Sequence, residues 1–204
     1  MRKNKNSAAK VCFAAATASV YVLLTALSGA LGLAYGGIQL RLSEALTVLP
    51  VRFPCAIAGL TLGCLIANAA SPLGPFDMLF GTVSTLISAC LTALLRNVKI
   101  KNYPLLSFLS PVVINAAFVA LETVVLSGTK GAGAFFTCFA GVFAGQALSV
   151  FVFGSAVCAA VERLMKSGSG IKNLTYETKV SRTGSDKKRD KNTVTEHRKE
   201  EGKT

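Results

Sequence analysis

Residues 35–50 read YGGIQLRLSEALTVLP and place three strongly polar side chains, Gln39, Arg41 and Glu44, in the middle of an apolar chain. Of the 204 residues, 51% are hydrophobic, and the mean hydropathy is +0.51. Runs that approach or exceed the roughly 18 apolar residues typical of a membrane-spanning helix lie on both sides of this stretch. The composition therefore predicts a membrane protein and argues against the soluble globular class.

Five runs with few or no charges are long enough to be considered as spans. They cover residues 11–34, 54–70, 78–95, 104–121 and 133–161. The basic segment MRKNKNSAAK before the first run resembles the start of a signal peptide. The run that follows is longer than the apolar part of a signal peptide, and no clear cleavage site ends it. We therefore interpret it as a retained first helix.

The quoted stretch decides the number of helices. If residues 38–53 also cross the membrane and the N-terminus is cytoplasmic, 20 of the 22 basic residues lie on the cytoplasmic side, which leaves only Arg41 and Lys130 outside. With five spans, the basic segment RNVKIK at residues 96–101 would face outward. The sequence therefore predicts an all-α polytopic membrane protein with six transmembrane helices. The second helix would be short, about 16 residues or roughly 24 Å long.

This topology predicts three regions and an orientation. A basic N-terminal segment (residues 1–10) precedes the six-helix transmembrane domain (residues 11–163), and a charged tail (residues 164–204) follows it. The tail is too polar to bury a core and is predicted to be disordered. The protein would be a multi-pass protein of the cell membrane, with its N-terminus and its C-terminus both in the cytoplasm. The net positive charge of the tail could attract it to anionic lipid or to a cytoplasmic partner, although a solvated tail that fixes the topology is the simpler interpretation.

Arg41 and Glu44 are three residues apart, so they share one face of a helix and can form an ion pair. Such a pair could simply allow a short helix to begin at the membrane surface. Ionisable residues within membrane spans, however, usually face a cavity or the interior of the bundle, which points to a ligand site. The sequence chemistry alone leaves both interpretations open.

Further polar residues fall within or beside the other spans. Asn115 and Glu122 are seven residues apart and lie on one helical face. Asn68 and Gln146 alone would more often hold helices together than bind a ligand. Because several of these groups lie on the predicted outer side, they indicate a polar pocket open to the outside. Glu122 could reach external water, or it could accept two adjacent N–H donors or an ammonium group from a ligand.

The stretch quoted above, the following PCAIAGLTLGCLIANAASPLGPFDMLFGTVSTL and the later PVVINAAFVALE resemble the QueT family. Members are substrate-binding S-components of energy-coupling factor (ECF) transporters, associated with uptake of queuosine precursors. The resemblance extends from about residue 21 to residue 154. It implies an S-component-like bundle that captures a 7-deazaguanine compound outside the cell. It also implies partners, namely a transmembrane coupling protein and two cytoplasmic ATPases.

The family's pattern matches this chain at Gln39, Arg41, Glu44, Asn68, Asp77, Asn115 and Glu122. The seven candidate substrate-binding residues are these positions without Asp77 and with Gln146. At position 146 the family typically has an acidic residue after a glycine, whereas this chain has glutamine. Gln146 is therefore a candidate binding residue at which the chain departs from the family's pattern.

Small residues at i and i+4 on the first helix are typical docking positions for the coupling protein in this type of S-component, because small side chains let helices approach closely. This chain offers Ala14 with Ala18, and Ala15 with Ser19. The similar Gly59 and Gly63 pair is more simply explained as internal packing.

Enzyme classes find little support. The single histidine, His197, lies in the charged tail, and no Gly-x-x-x-x-Gly-Lys-Ser/Thr phosphate loop occurs. The six cysteines show no metal-binding spacing. We therefore expect no enzymatic activity, cofactor, metal or nucleic-acid partner. Two alternatives remain: an S-component for another vitamin or base, and a structural membrane protein in which Arg41 and Glu44 merely pair.

Overall fold

The computed structural model describes residues 2–34, 39–72, 74–98, 104–128, 132–167, 171 and 174–176, and within these ranges the chain is helical and contains no strand. The elements are α1 (Arg2–Ala30), a 3₁₀ helix (Leu42–Val51), α2 (Ala56–Asn68), α3 (Pro75–Leu94), α4 (Leu105–Ser127), α5 (Ala132–Ala147) and α6 (Gly154–Lys166). A π-helical segment (Leu148–Phe153) joins α5 to α6, so that these two form one continuous helix. A 3₁₀ turn (Leu95–Asn97) extends α3.

Four of these helices are long and apolar enough to cross a membrane: Ser7–Ala30, Pro75–Asn97, Leu105–Leu126 and Ala132–Lys166. The 3₁₀ helix and α2 are shorter but also apolar. Large apolar side chains such as Leu23, Leu79 and Phe136 are exposed, whereas Arg41 and Glu44 are buried. Apolar groups outside and polar groups inside are the pattern expected of a helical bundle in lipid. The prediction of an all-α polytopic membrane protein is confirmed.

Successive elements alternate in direction. The 3₁₀ helix lies between α1 and α2 in the sequence and runs opposite to both. α1 and α2 run parallel, because Gly59 lies against Ala14 and Gly63 lies against Ala18. The ring of Phe13 lies 4.7 Å from that of Phe53, and Arg52 forms an ion pair with Glu162. The beginning of α1 and the end of α6 are therefore at the same end of the bundle, which we call the terminal end.

The second helix differs from the α-helix predicted over residues 38–53. It is a 3₁₀ helix of 10 residues, Leu42–Val51, in which Ser43 to Pro50 are all buried. The 3₁₀ geometry rises about 2.0 Å per residue, so ten residues reach about 20 Å, compared with about 15 Å for an α-helix. This element contacts α1, α3, α4 and α6. It is the centre of the bundle, and its tight winding gives ten residues a greater reach across it.

The seam between α1 and α2 depends on two glycines. A Cβ atom on Gly63 would lie 2.9 Å from the Cβ of Tyr21 and 3.0 Å from the Cα of Ala18, and one on Gly59 would collide with the carbonyl oxygen of Ala14. Only glycine lets the two backbones approach this closely. The pair therefore packs inside the bundle, as the sequence indicated.

This seam bears on the predicted docking residues of α1. Ala18 is buried against Gly63, and Ala14 is half-buried beside Gly59. Ala15 and Ser19 lie on the exposed face of the helix. In this arrangement Ala18 is not accessible to a partner, whereas Ala15 and Ser19 are. Docking of a partner through α1 stays a prediction.

Part of the predicted tail packs against the bundle. Leu174 is buried in the same apolar cluster as Phe53 and Leu49, and the backbone N–H of Tyr176 donates a hydrogen bond to the carbonyl oxygen of Arg52 at 3.2 Å. Residues 177–204, for which disorder was predicted, lie outside the described residues.

We expect Gly63→Val to lower the melting temperature of the purified protein by about 5 °C or more, because overpacking a close contact costs about 1–3 kcal/mol. Thermal unfolding in detergent measures this. The matched control is Gly133→Val, since a Cβ on Gly133 meets no atom within 4 Å. An equal effect of both changes would show that the seam is not tightly packed.

Candidate ligand-binding site

The predicted polar residues are brought together in the half of the bundle away from the terminal end. Arg41 and Glu44 stand at the start of the 3₁₀ helix, and Asn68 is the last residue of α2. Asp77 lies in the first turn of α3, and Glu122 lies near the end of α4. Because the helices alternate in direction, these helix ends meet at one level of the bundle.

Glu44 is the centre of a buried hydrogen-bond network. The hydroxyl of Tyr21 donates to its Oε1 at 2.6 Å, and Nδ2 of Asn115 donates to its Oε2 at 2.8 Å. The hydroxyl of Ser88 in turn donates to Oδ1 of Asn115 at 3.4 Å. Glu44 is only 2% exposed. A buried carboxylate is tolerated when donors satisfy it in this way, so this network ties α1, α3 and α4 to the 3₁₀ helix.

Arg41 is held by a second set of contacts. Its Nη1 donates to Oδ1 of Asn68 at 3.2 Å, and its Nε donates to the carbonyl oxygen of Ala34 at 3.4 Å. The hydroxyl of Ser149 donates to the carbonyl oxygen of Arg41 at 2.5 Å. The guanidinium is also attracted electrostatically by Glu44. Asn68 orients Arg41 and is itself fixed, since its Nδ2 donates to the backbone carbonyl of Asp77 at 2.9 Å.

Asp77 and Glu122 bring two more carboxyl groups close to Arg41. Both are buried, and their side chains interact with each other. The hydroxyl of Ser71 also bonds to Oδ2 of Asp77. Asp77 and Glu122 hydrogen-bond to each other, which requires one shared proton. Together with Glu44, the described part of this site therefore contains two carboxylate charges and one guanidinium, so the site has a small excess of negative charge.

Two buried oxygen atoms in this region lack a hydrogen-bond partner: Oε1 of Glu122 and Oε1 of Gln146. Their side chains are 2% and 3% exposed. Buried polar atoms in folded proteins are nearly always paired, so two orphaned acceptors indicate places where a ligand can supply donors.

A small cavity lies at the middle of these groups. Five of the seven predicted site residues line it: Gln39, Arg41, Glu44, Asn115 and Gln146. The centres of water-sized spheres can occupy only about 10 Å³ of it, which is room for about one water molecule. Asn68 does not line the cavity but contacts three residues that do, Arg41, Cys64 and Gly81. Glu122 interacts with Asp77 outside the cavity lining. The structure places these residues together, and their role in binding stays a prediction.

The sequence reasoning missed several residues of this site. Cys64, Gly81, Ser84, Thr85 and Val119 also line the cavity. Tyr21 was missed as well. A usable signal existed in the first apolar run, where Thr17, Tyr21, Thr25 and Ser28 recur at helical spacing and are all buried.

Comparison with known proteins places the chain among transporters. The model of the QueT transporter family matches residues 11–163. The chain is 37% identical over 81 residues to a protein of Lactococcus lactis subsp. cremoris named queuosine precursor transporter QueT. That match covers 40% of this chain and 47% of the relative, so the chain spans about half the length of this relative. No solved structure matches the chain.

Proposed function

The chain belongs to the QueT transporter family, and from this premise we propose that it is the substrate-specific S-component of an ECF-type transporter. It binds a queuosine precursor of the 7-deazaguanine class in the cell membrane, and partner subunits drive uptake with ATP. Both termini are cytoplasmic, so the half of the bundle that contains Glu44 and Arg41 faces the outside.

The two orphaned acceptors support this ligand most directly. The Watson–Crick edge of a deazaguanine presents adjacent N–H donors, which suit the free Oε1 atoms of Glu122 and Gln146. The carbonyl group of the base is an acceptor for a donor such as Arg41 or Gln39. A charge-assisted pair with a carboxylate is stronger than a neutral hydrogen bond, so Glu122 is the expected anchor.

The excess of acidic groups also favours one queuosine precursor over another. Glu44, Asp77 and Glu122 face a single guanidinium, that of Arg41, among the described residues of the site. A precursor with a protonated aminomethyl group would complement this charge, whereas a neutral cyano group would not. We therefore infer that 7-aminomethyl-7-deazaguanine binds more tightly than 7-cyano-7-deazaguanine.

The chain acts as a binding component rather than as an enzyme. Its sequence contains no phosphate-binding loop for ATP, so the energy comes from a transmembrane coupling protein and two ATPases. The exposed Ala15 and Ser19 on α1 offer the coupling protein a smooth face. Co-purification of a tagged chain in mild detergent tests this, and recovery of the chain without these partners would contradict the coupling.

Calorimetry on the purified full chain tests the ligand. The panel contains the aminomethyl and cyano deazaguanines, with riboflavin, thiamine and biotin as controls. We expect the aminomethyl compound to bind at least about tenfold more tightly than the cyano compound, which corresponds to about 1.4 kcal/mol. Binding of a vitamin instead would support the S-component assignment but would show that the ligand is not a deazaguanine. Failure of the folded protein to bind any panel member would favour the structural role, in which Arg41 and Glu44 only pair.

A further inference from the structure

A second, much larger cavity opens at the terminal end of the bundle. Its volume is about 730 Å³, within the range of roughly 300–1,000 Å³ that is usual for ligand sites. It lies between the start of α4 and α6, and the end of the 3₁₀ helix also lines it, through Val51 and Arg52. The polar cluster around Glu44 shares no lining residue with it.

One wall of this cavity is a stripe along α6. Ser155, Cys158, Ala159, Glu162 and Met165 line it and recur every three or four residues, so they share one helical face. Phe108 and Pro104 of the α4 side form the opposite wall. Apart from Ser155 and Glu162, these walls are apolar and suit a hydrocarbon chain, whereas Asn97 and Thr175 add polar groups elsewhere in the lining.

The mouth of the cavity is charged. Among its described lining residues, two are basic, Arg52 and Arg96, and one is acidic, Glu162. Arg52 and Glu162 form an exposed ion pair with side-chain exposures of 41% and 49%, and such pairs are held weakly. The guanidinium of Arg96 stacks over the ring of Tyr176 at 3.7 Å from its centroid. The lining therefore has a net positive charge, with planar guanidinium groups suited to a phosphate.

The geometry points to a binding site for an anionic phospholipid, whose headgroup phosphate meets Arg96 and Arg52 while an acyl chain lies along the α6 stripe. Each part of the cavity fits one part of the lipid: cationic groups stand at helix ends, where headgroups lie, and the apolar walls continue into the bundle. A free phosphate would use the arginines but leave the apolar walls uncovered. In the proposed orientation this lipid belongs to the cytoplasmic leaflet. The inference stands apart from the deazaguanine site.

Native mass spectrometry of the purified full chain tests this inference. The protein is titrated with phosphatidylglycerol or with phosphatidylcholine of the same acyl chains. We expect the wild type to retain phosphatidylglycerol at least about tenfold better, and Arg96→Gln to remove most of that preference. Lys166→Gln is the matched control, because Lys166 is a basic, exposed residue in the last turn of α6 that does not line the cavity; it should retain the preference.

A second variant keeps the test decisive if Arg96→Gln fails to fold. Glu162→Gln removes the acidic side chain found among the described lining residues, so it should increase retention of phosphatidylglycerol. A decrease would overturn the proposal. Equal retention of both lipids by the wild type, or equal losses in Arg96→Gln and Lys166→Gln, would also overturn it. Displacement of the lipid by millimolar inorganic phosphate would identify a soluble-anion site instead.

Discussion

Replacing Glu122 with glutamine is expected to lower the affinity for 7-aminomethyl-7-deazaguanine by about 100-fold, because a hydrogen bond to a charged group contributes about 1.5–3 kcal/mol. Glutamine has nearly the same size as glutamate, so the packing around position 122 is preserved. The amide keeps one oxygen acceptor but loses the negative charge and replaces the second acceptor with a donor. The change therefore weakens the charge-assisted hydrogen bond proposed for Oε1 of Glu122 without opening a void.

Calorimetry with the same ligand measures this effect, and Glu162→Gln is the matched control. Glu162 is an exposed carboxylate at the terminal end, paired with Arg52, and its replacement should leave deazaguanine affinity unchanged. If Glu122→Gln bound the ligand as tightly as the wild type, Glu122 would not be the anchor. The free Oε1 of Glu122 would then need another explanation.

The second large effect concerns stability. Glu44→Ala leaves the Tyr21 hydroxyl and the Asn115 amide without their acceptor in the interior of the bundle. Removing one member of such a buried charged network costs about 3–5 kcal/mol, so the melting temperature should fall by about 10 °C. Thermal unfolding in detergent without ligand checks this, which separates stability from binding.

Tyr21→Phe provides a graded comparison for Glu44→Ala. It removes only one of the two hydrogen bonds to the Glu44 carboxylate and keeps the ring, which is 1% exposed. We expect less than half of the loss caused by Glu44→Ala. If Glu44→Ala melted within about 2 °C of the wild type, below the shift expected for 1 kcal/mol, the network would be dispensable for folding.

The order of the helices could be predicted from the sequence for two reasons. A membrane-spanning helix needs a long apolar run, and basic residues collect on the cytoplasmic side. With five spans the basic segment at residues 96–101 would face outward, which required an additional helix at residues 38–53. The structure contains a helix there, Leu42–Val51. Its 3₁₀ winding was not predictable, since that geometry depends on packing by several neighbouring helices, which a local pattern does not contain. Leu174 illustrates the same limit, because its burial depends on packing against Phe53, which the local sequence does not show.

The small residues of α1 show why faces are harder to predict than elements. Ala14, Ala15, Ala18 and Ser19 all have suitable size and spacing. Neighbouring residues on a helix point about 100° apart, so only the packing partner decides which face turns inward. Gly59 and Gly63 of α2 pack against the face that contains Ala14 and Ala18.

The charged and amide residues of the candidate site could be predicted because burying such groups within a span is costly. The hydroxyl groups of Ser84 and Thr85 gave a weaker signal.

The near absence of free space between Gln39, Arg41, Glu44 and Gln146 has a consequence for the timing of transport. A planar base is larger than a space that holds about one water molecule, so binding of the proposed ligand requires the residues around this cavity to move first. The observed association rate should then level off at high ligand concentration, at the rate of this opening rather than at the diffusion limit. Dissociation requires the same movement, so a bound molecule should dissociate slowly. The coupling partner then has more time to bind the loaded protein.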